Sequence, residues 1–278
     1  MIYLLLAVLS STMISVLMRH SSGKVSANLS MLAVNYLVCA LLGAVYAGFE
    51  VALPQAPGFY MAVCLGIISG VLYLSGFVVF QANTNKYGIV LTSVFMKLGL
   101  LVPIVVSVLL FKEVPTAVQI AGFCIAIFAI VLINHQKGDS GRRLGFGLLA
   151  MLLLCGGSDA MAKIFDVFAP KVLAPQYLFY IFATAFLLCM VLVLRKKERP
   201  GFRELLYGTL IGIPNFFSAK FLLGALGELP AVVVYPTFSV GTMLVVTLTG
   251  VVVFKERLSK VQWVALSAII VALILLNI

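Results

Sequence analysis

Four charged side chains stand inside otherwise apolar stretches of this chain: Lys97, Asp159, Lys163 and Lys220. Lys97 is the single charge between Tyr87 and Phe111. It lies about 15 Å along a helix begun at Tyr87, which is close to a bilayer midplane. An ammonium at that depth costs at least about 2.5–3.5 kcal/mol, and no purely structural span requires it. Lys97 is therefore expected to face a wet cavity and meet an anionic group. The structural alternatives are a carboxylate partner on another helix, or snorkelling to the interface.

Lys220 follows Pro214, Asn215, Phe217 and Ser218 in the same apolar run. Pro214 removes a backbone hydrogen bond, and helices broken in this way often border transport sites. Lys220 either binds a ligand or pairs with a carboxylate such as Asp159. Asp159 and Lys163 are four residues apart and share a helical face, so they can pair with each other. Otherwise they touch substrate, or Asp159 takes up a coupling ion, because a carboxylate in a low-dielectric site titrates at raised pH. Asn35, Tyr36, Tyr73, Asn215 and Tyr235 are the polar and aromatic candidates for a cavity wall. Ser93 joins Lys97 and Lys220 in the candidate substrate-binding set.

These residues need a membrane to make sense. Of 278 residues, 63% are hydrophobic and 10% charged, against about 25% charged in a soluble domain. The mean hydropathy is +1.19. Ten apolar spans follow one another at roughly 1–18, 29–49, 58–80, 87–110, 116–134, 144–165, 172–194, 203–226, 231–253 and 259–277. Each can cross a bilayer. Breaks such as LPQAPG, NTNK, HQKGDSGRR and RKKERPGFR separate them. The expected fold is an all-α integral membrane protein of ten transmembrane helices. The first run has no basic flank or cleavage signal and is expected to stay as the first span.

Catalysis and metal binding find no footing. The five cysteines, Cys39, Cys64, Cys124, Cys155 and Cys189, sit in apolar runs without CxxC spacing and read as small core residues. The histidines, His20 and His135, lie at span ends, and HExxH, GxSxG and Walker patterns are absent. No enzyme activity, cofactor or metal is expected, and a membrane enzyme acting on lipid-linked substrates would need acidic or His clusters that this sequence lacks. The net charge of +10 is placed in loops and does not imply nucleic acid. Counting Lys and Arg gives 14 on the odd-to-even loop side and two, Lys112 and Lys171, on the other. The positive-inside rule then puts both termini outside, with a bacterial inner membrane as the expected location.

The two halves repeat. Phe111-Lys112-Glu113 recurs as Phe254-Lys255-Glu256, a shift of 254 − 111 = 143, which also carries Gln119 to Gln262 and Asn134 to Asn277. Gly66 and Gly70 recur as Gly208 and Gly212, a shift of 208 − 66 = 142. Five spans per copy is an odd number, so residues 138–278 are expected to be inverted relative to 1–137. Inverted repeats characterise alternating-access carriers, whose substrate site lies near the midplane between the copies.

The fourth and fifth spans, LGLLVPIVVSVLLFKEVPTAVQIAGFCIAIFAIVLIN, and their copy, VGTMLVVTLTGVVVFKERLSKVQWVALSAIIVALILLN, resemble the drug/metabolite transporter superfamily in its EamA-like, ten-span branch. The resemblance implies two inverted five-helix repeats around a central cavity, with Glu113 and Glu256 structural at helix junctions. Three departures stand out. The first span lacks the aromatic-Gly pair of many relatives, and the charge count places the termini opposite to several of them. The first-span Glu of the small multidrug exporters is also missing, so their cation and proton mechanism does not carry over. Organophosphate-exchanging relatives use buried basic residues, and Lys97 and Lys220 look like that chemistry.

The expected function is secondary transport of a small organic anion or zwitterion, such as a carboxylate, amino acid or phosphorylated metabolite. Its other partners are the lipid bilayer and a coupling proton or sodium ion. The alternatives are a lipid or lipid-carrier flippase, an exporter of drug-like or cationic compounds, and a non-transporting assembly or sensor subunit. The sequence names no oligomeric state.

Overall fold

The computed structural model of the chain describes residues 1–21, 24–87, 96, 98–112, 114–134, 146–252 and 260–276. Lys97, Ser93, Glu113 and Glu256 lie outside the described residues. In chain order the helices are α1 (Ile2–Ser21), α2 (Asn28–Tyr46), α3 (Phe59–Tyr87), α4 (Leu101–Phe111), α5 (Ala117–Asn134), α6 (Phe146–Phe168), α7 (Ala174–Lys196), α8 (Phe202–Leu226), α9 (Ala231–Val252) and α10 (Lys260–Leu276). A 3₁₀ turn at Lys171–Leu173 leads into α7. Among the described residues there is no strand.

Seven of these helices, α1, α2, α3 and α6 to α9, are long and apolar enough to cross a membrane. Their outward faces show which solvent they meet. In α1, Leu4, Ala7 and Val8 point inward, yet Leu5 (62% exposed) and Leu9 (57% exposed) point outward and are equally apolar. Leu41, Leu187 and Leu194 repeat the pattern on α2 and α7. Scattered exposed leucines are ordinary in water, but whole apolar helix faces are not. Hydrocarbon accepts them at no cost, and a helix satisfies its own backbone polar groups there. The chain is an all-α integral membrane protein.

It divides into two compact units. One comprises Ile2–Leu74 and Met161–Gly227, and the other Met1, Ser75–Ala160 and Glu228–Ile278. The first, here the α8 unit, holds α1, α2, α7 and α8. The second, the α9 unit, holds α4, α5, α9 and α10. Helices α3 and α6 each give one part to each unit, and each unit draws on both halves of the sequence.

Within the α8 unit, glycines set the helix spacing. A Cβ on Gly208 would sit 2.6 Å from Val34 Cβ and 2.7 Å from the Met31 carbonyl, and one on Gly212 would sit 2.8 Å from Val38 Cβ and 2.9 Å from the Asn35 carbonyl. Thus α8 rides directly on the backbone of α2. On α3, a Cβ on Gly66 would meet Tyr180 Cβ at 2.8 Å and the Tyr177 carbonyl at 3.0 Å, and Gly70 lies as close to Ile181 and Thr184. Thus α3 rides on α7. The partners correspond: 177 − 31, 180 − 34, 181 − 35 and 184 − 38 all equal 146. Packing rather than hydrophobicity drives association in lipid, which is why small residues stand at these contacts.

The α9 unit packs Leu100 and Ile104 of the α4 segment, Ala126 of α5, Val232, Val233 and Val240 of α9 and Ala272 of α10 into one apolar cluster. Gly156 of α6 admits close approach, since a Cβ there would collide with the Gly99 carbonyl and stand 2.7 Å from Val102.

Three sequence expectations change. NTNK follows the end of the apolar span at Phe80 but does not end the helix: α3 continues to Tyr87, and buried Asn83 donates from Nδ2 to the Gly147 carbonyl at 2.7 Å. An aromatic run at the start of the seventh span reads as an interfacial belt, but Tyr177 within it is a core residue. It is buried, stacks on Phe165 at 4.2 Å, and shares a 2.9 Å hydrogen bond with Ser69. Of the cysteines, Cys39 and Cys189 are core residues, whereas Cys64 and Cys124 are exposed.

Candidate substrate site

Four of the predicted cavity residues converge in the α8 unit. Asn35 and Tyr36 come from α2, Tyr73 from α3 and Asn215 from α8. Asn215 Nδ2 donates to Asn35 Oδ1 at 3.1 Å, and the Tyr73 hydroxyl donates to Asn215 Oδ1 at 3.1 Å. The Tyr73 ring meets Tyr36 edge-on at 5.8 Å and Phe182 of α7 at 6.2 Å. Asn35, Tyr36 and Asn215 are buried, while Tyr73 keeps 38% of its surface exposed. The result is a polar chain through three helices that ends on an accessible phenol.

Local sequence explains the placement. Gly212 brings α8 against α2, which sets Asn215 one turn later beside Asn35. Pro214 lies inside α8 and has no N–H to donate to the preceding turn. Cys39 Sγ contacts the Gly212 carbonyl at 3.2 Å, so a thiol supports the same stretch of backbone. A buried amide is costly unless its hydrogen bonds are made, and here Asn35 and Asn215 meet that need for each other.

Lys220 lies on α8, further along from Asn215. Its ammonium is 3.8 Å from the centroid of the Tyr46 ring on α2 and 6.0 Å from that of Phe217. Among the described residues no carboxylate pairs with it. Of the two alternatives, the carboxylate partner gives way to a cation–π contact, because rings line this stretch of α8: Phe216, Phe217 and Phe221 pack against Tyr46, one another and Tyr3. A ring face holds the ammonium without neutralising it.

Lys163 is 4% exposed, and its Nζ lies 3.7 Å from Asp166 Oδ2, three residues on. Asp166 Oδ1 also receives Lys171 at 3.3 Å, and Lys171 donates to the Gly227 carbonyl at 3.1 Å. The i,i+4 reading of the sequence overlooked this i,i+3 pair. Asp159 and Tyr235 belong to the α9 unit, where the Tyr235 hydroxyl donates to the Asp159 carbonyl at 2.6 Å. Tyr235 is fully buried, so it ties α9 to α6.

Sequence reasoning also missed Glu198 and Glu204. The N-terminus of α2 has no side-chain cap of its own. Glu204 Oε1 accepts from Ser26 N at 3.1 Å and Ala27 N at 3.3 Å, and Glu198 Oε2 accepts from Ser30 N at 3.1 Å. The start of α2 is thus held by the loop between α7 and α8 and the first turn of α8. Nothing local in the sequence marks these two acids as caps of a distant helix.

The fold and this cluster together define a polytopic helical membrane protein with a polar, aromatic centre in one unit. No family model matches the chain. A protein from Haemophilus influenzae described as uncharacterized is 25% identical over 272 residues, covering 95% of this chain and 93% of its own length. A solved crystal structure superposes on 99% of this chain and 94% of its own, with a TM-score of 0.75 and 15% identity, a likeness of fold alone.

Proposed function

We propose that this chain is a secondary active transporter, built from two inverted five-helix repeats with ten transmembrane helices, that carries a small organic anion or zwitterion by alternating access. Carboxylates, amino acids and phosphorylated metabolites are the substrate classes. The observation that carries the proposal is the pair Tyr73–Asn215. These positions differ by 215 − 73 = 142, the offset of the glycine pairs, and in the repeat reading this makes the bond one between a residue and its counterpart in the other copy. The reciprocal riding of α3 on α7 and α8 on α2 supports the same exchange. A two-fold axis between repeats is where carriers of this architecture hold substrate.

In this reading the Tyr73 hydroxyl and the Asn35 and Asn215 amides orient the solute. Lys220 attracts its negative group from the ring-lined end of α8, and Lys97 and Ser93 complete the set. Asp159 and Lys163 are the candidates for ion coupling, by proton or sodium. The location is a bacterial inner membrane, with both termini outside.

The test is flux into proteoliposomes of labelled carboxylates, amino acids, phosphorylated metabolites and organic cations, with and without pH and sodium gradients. Saturable uptake of one anionic or zwitterionic class is expected. Flux of cations alone would replace the substrate class, and no flux of any solute would favour an assembly or sensor role.

A further inference from the structure

A surface pocket of about 590 Å³ opens at the end of the α8 unit where α1 and α7 finish and α2 and α8 begin, lined by Lys24, Val25, Ser26, Gly201, Phe202, Arg203 and Glu204. The pocket is shallow and open to the surface. Its only acid is buried and already committed, since Glu204 accepts from Ser26 N, Ser26 Oγ, Ala27 N and Gly201 N. Its two cations are exposed, and among the described residues neither is in an ion pair. Arg203 Nη1 donates to the Lys24 carbonyl at 3.3 Å, which fixes the guanidinium and leaves its other N–H groups for an incoming oxygen. Lys24 Nζ is 2.8 Å from His20 Nε2. Within the lining Phe202 is 78% exposed, and Leu205 and Leu206 on the first turns of α8 are exposed as well. Arg195 and Lys196 end α7 and Lys197 and Arg199 follow in the loop that leads to α8, where Glu198 is occupied by Ser30. Exposed cations at a helix end, with exposed apolar side chains on the same first turns, match what the phosphate and acyl chains of a lipid offer at a membrane surface.

We propose that this pocket binds the phosphodiester headgroup of an anionic glycerophospholipid, with Arg203 and Lys24 on the phosphate and Phe202 against the acyl chains. The site is separate from the Asn35–Asn215–Tyr73 chain and independent of the transport reading. It anchors the α1–α2 and α7–α8 connections, which Glu204 and Glu198 already tie together, to the leaflet that faces them.

The full chain, purified in neutral detergent, is titrated with phosphatidylglycerol, with phosphatidylcholine of the same acyl chains, and with inorganic phosphate. Thermal unfolding and native mass spectrometry are the readouts. Phosphatidylglycerol is expected to raise the unfolding midpoint saturably and to remain bound, while the other two do neither. Lys24→Gln and Arg203→Gln are each expected to weaken the apparent affinity about fivefold. Lys196→Gln with Lys197→Gln, outside the pocket, is expected to change it less than twofold. If either single variant fails to fold, the other is judged against the same controls. An equal response to phosphatidylcholine overturns the proposal, as does inorganic phosphate matching the lipid, which would mean a soluble phosphate site. Equal losses from the Lys196/Lys197 pair overturn it too, by showing only a diffuse charged surface.

Discussion

Asn215 sits between two partners and is the residue whose loss leaves most behind. Asn215→Ala removes the acceptor of the Tyr73 hydroxyl and the donor to Asn35 in one step. Interhelical hydrogen bonds in membranes contribute about 0.6 kcal/mol on average and up to about 1.7. A double-mutant cycle of Asn35→Ala with Asn215→Ala, read by denaturant unfolding in micelles, is expected to show coupling within that range. Coupling near zero would mean that the amide pair is incidental. Lys220 poses a different question. Lys220→Met keeps the side-chain length and removes the cation–π contact, which is worth about 0.5–2 kcal/mol. Stability is expected to move by no more than that, while uptake of an anionic substrate falls at least about tenfold. Unchanged anion uptake would leave Lys220 a packing residue against Tyr46.

At the scale of elements, helix spacing is set by glycines and helix ends by distant acids. Gly70→Val and Gly212→Val each force a side chain into a backbone that already lies in contact. Overpacking of this kind typically costs about 1–3 kcal/mol. Because the two contacts correspond residue by residue, the two losses are expected to agree within about 1 kcal/mol in unfolding measurements, and a large difference would speak against equivalent helices. Glu204→Ala strips acceptors from the start of α2 and is expected to destabilise by about 1–3 kcal/mol. Glu204→Gln keeps a carbonyl oxygen for the same donors and is expected to lose less. Equal losses would assign the effect to charge rather than to capping.

For the whole molecule, the proposal places both termini outside and the basic loops inside. A phosphatase fused after Ile278 should be active, and one inserted within residues 135–145 inactive. The reverse pattern would invert the charge argument. Alternating access further requires flux in both directions when the gradients are exchanged. Strictly one-way flux in liposomes with both protein orientations present would not fit a carrier of this kind.

The membrane class and nearly every helix were legible in residue types alone, because a span must be apolar for about 20 residues and its loops must not be. The offset of 142 between glycine pairs was legible as well, as were Asn35, Tyr36, Tyr73 and Asn215 as polar residues in apolar runs, since lipid tolerates neither kind without a reason. Which of these meet was not legible, because helical periodicity gives a face but not the neighbour across it. Tertiary packing alone decided that Asn215 bonds Asn35 and Tyr73, that Lys220 rests on Tyr46, and that Tyr235 spends its hydroxyl on the backbone of α6. It also decided that Glu198 and Glu204 cap a helix roughly 170 residues away in the chain. Those contacts join helices distant in sequence, and their energies depend on distances of a few ångströms that no local pattern encodes.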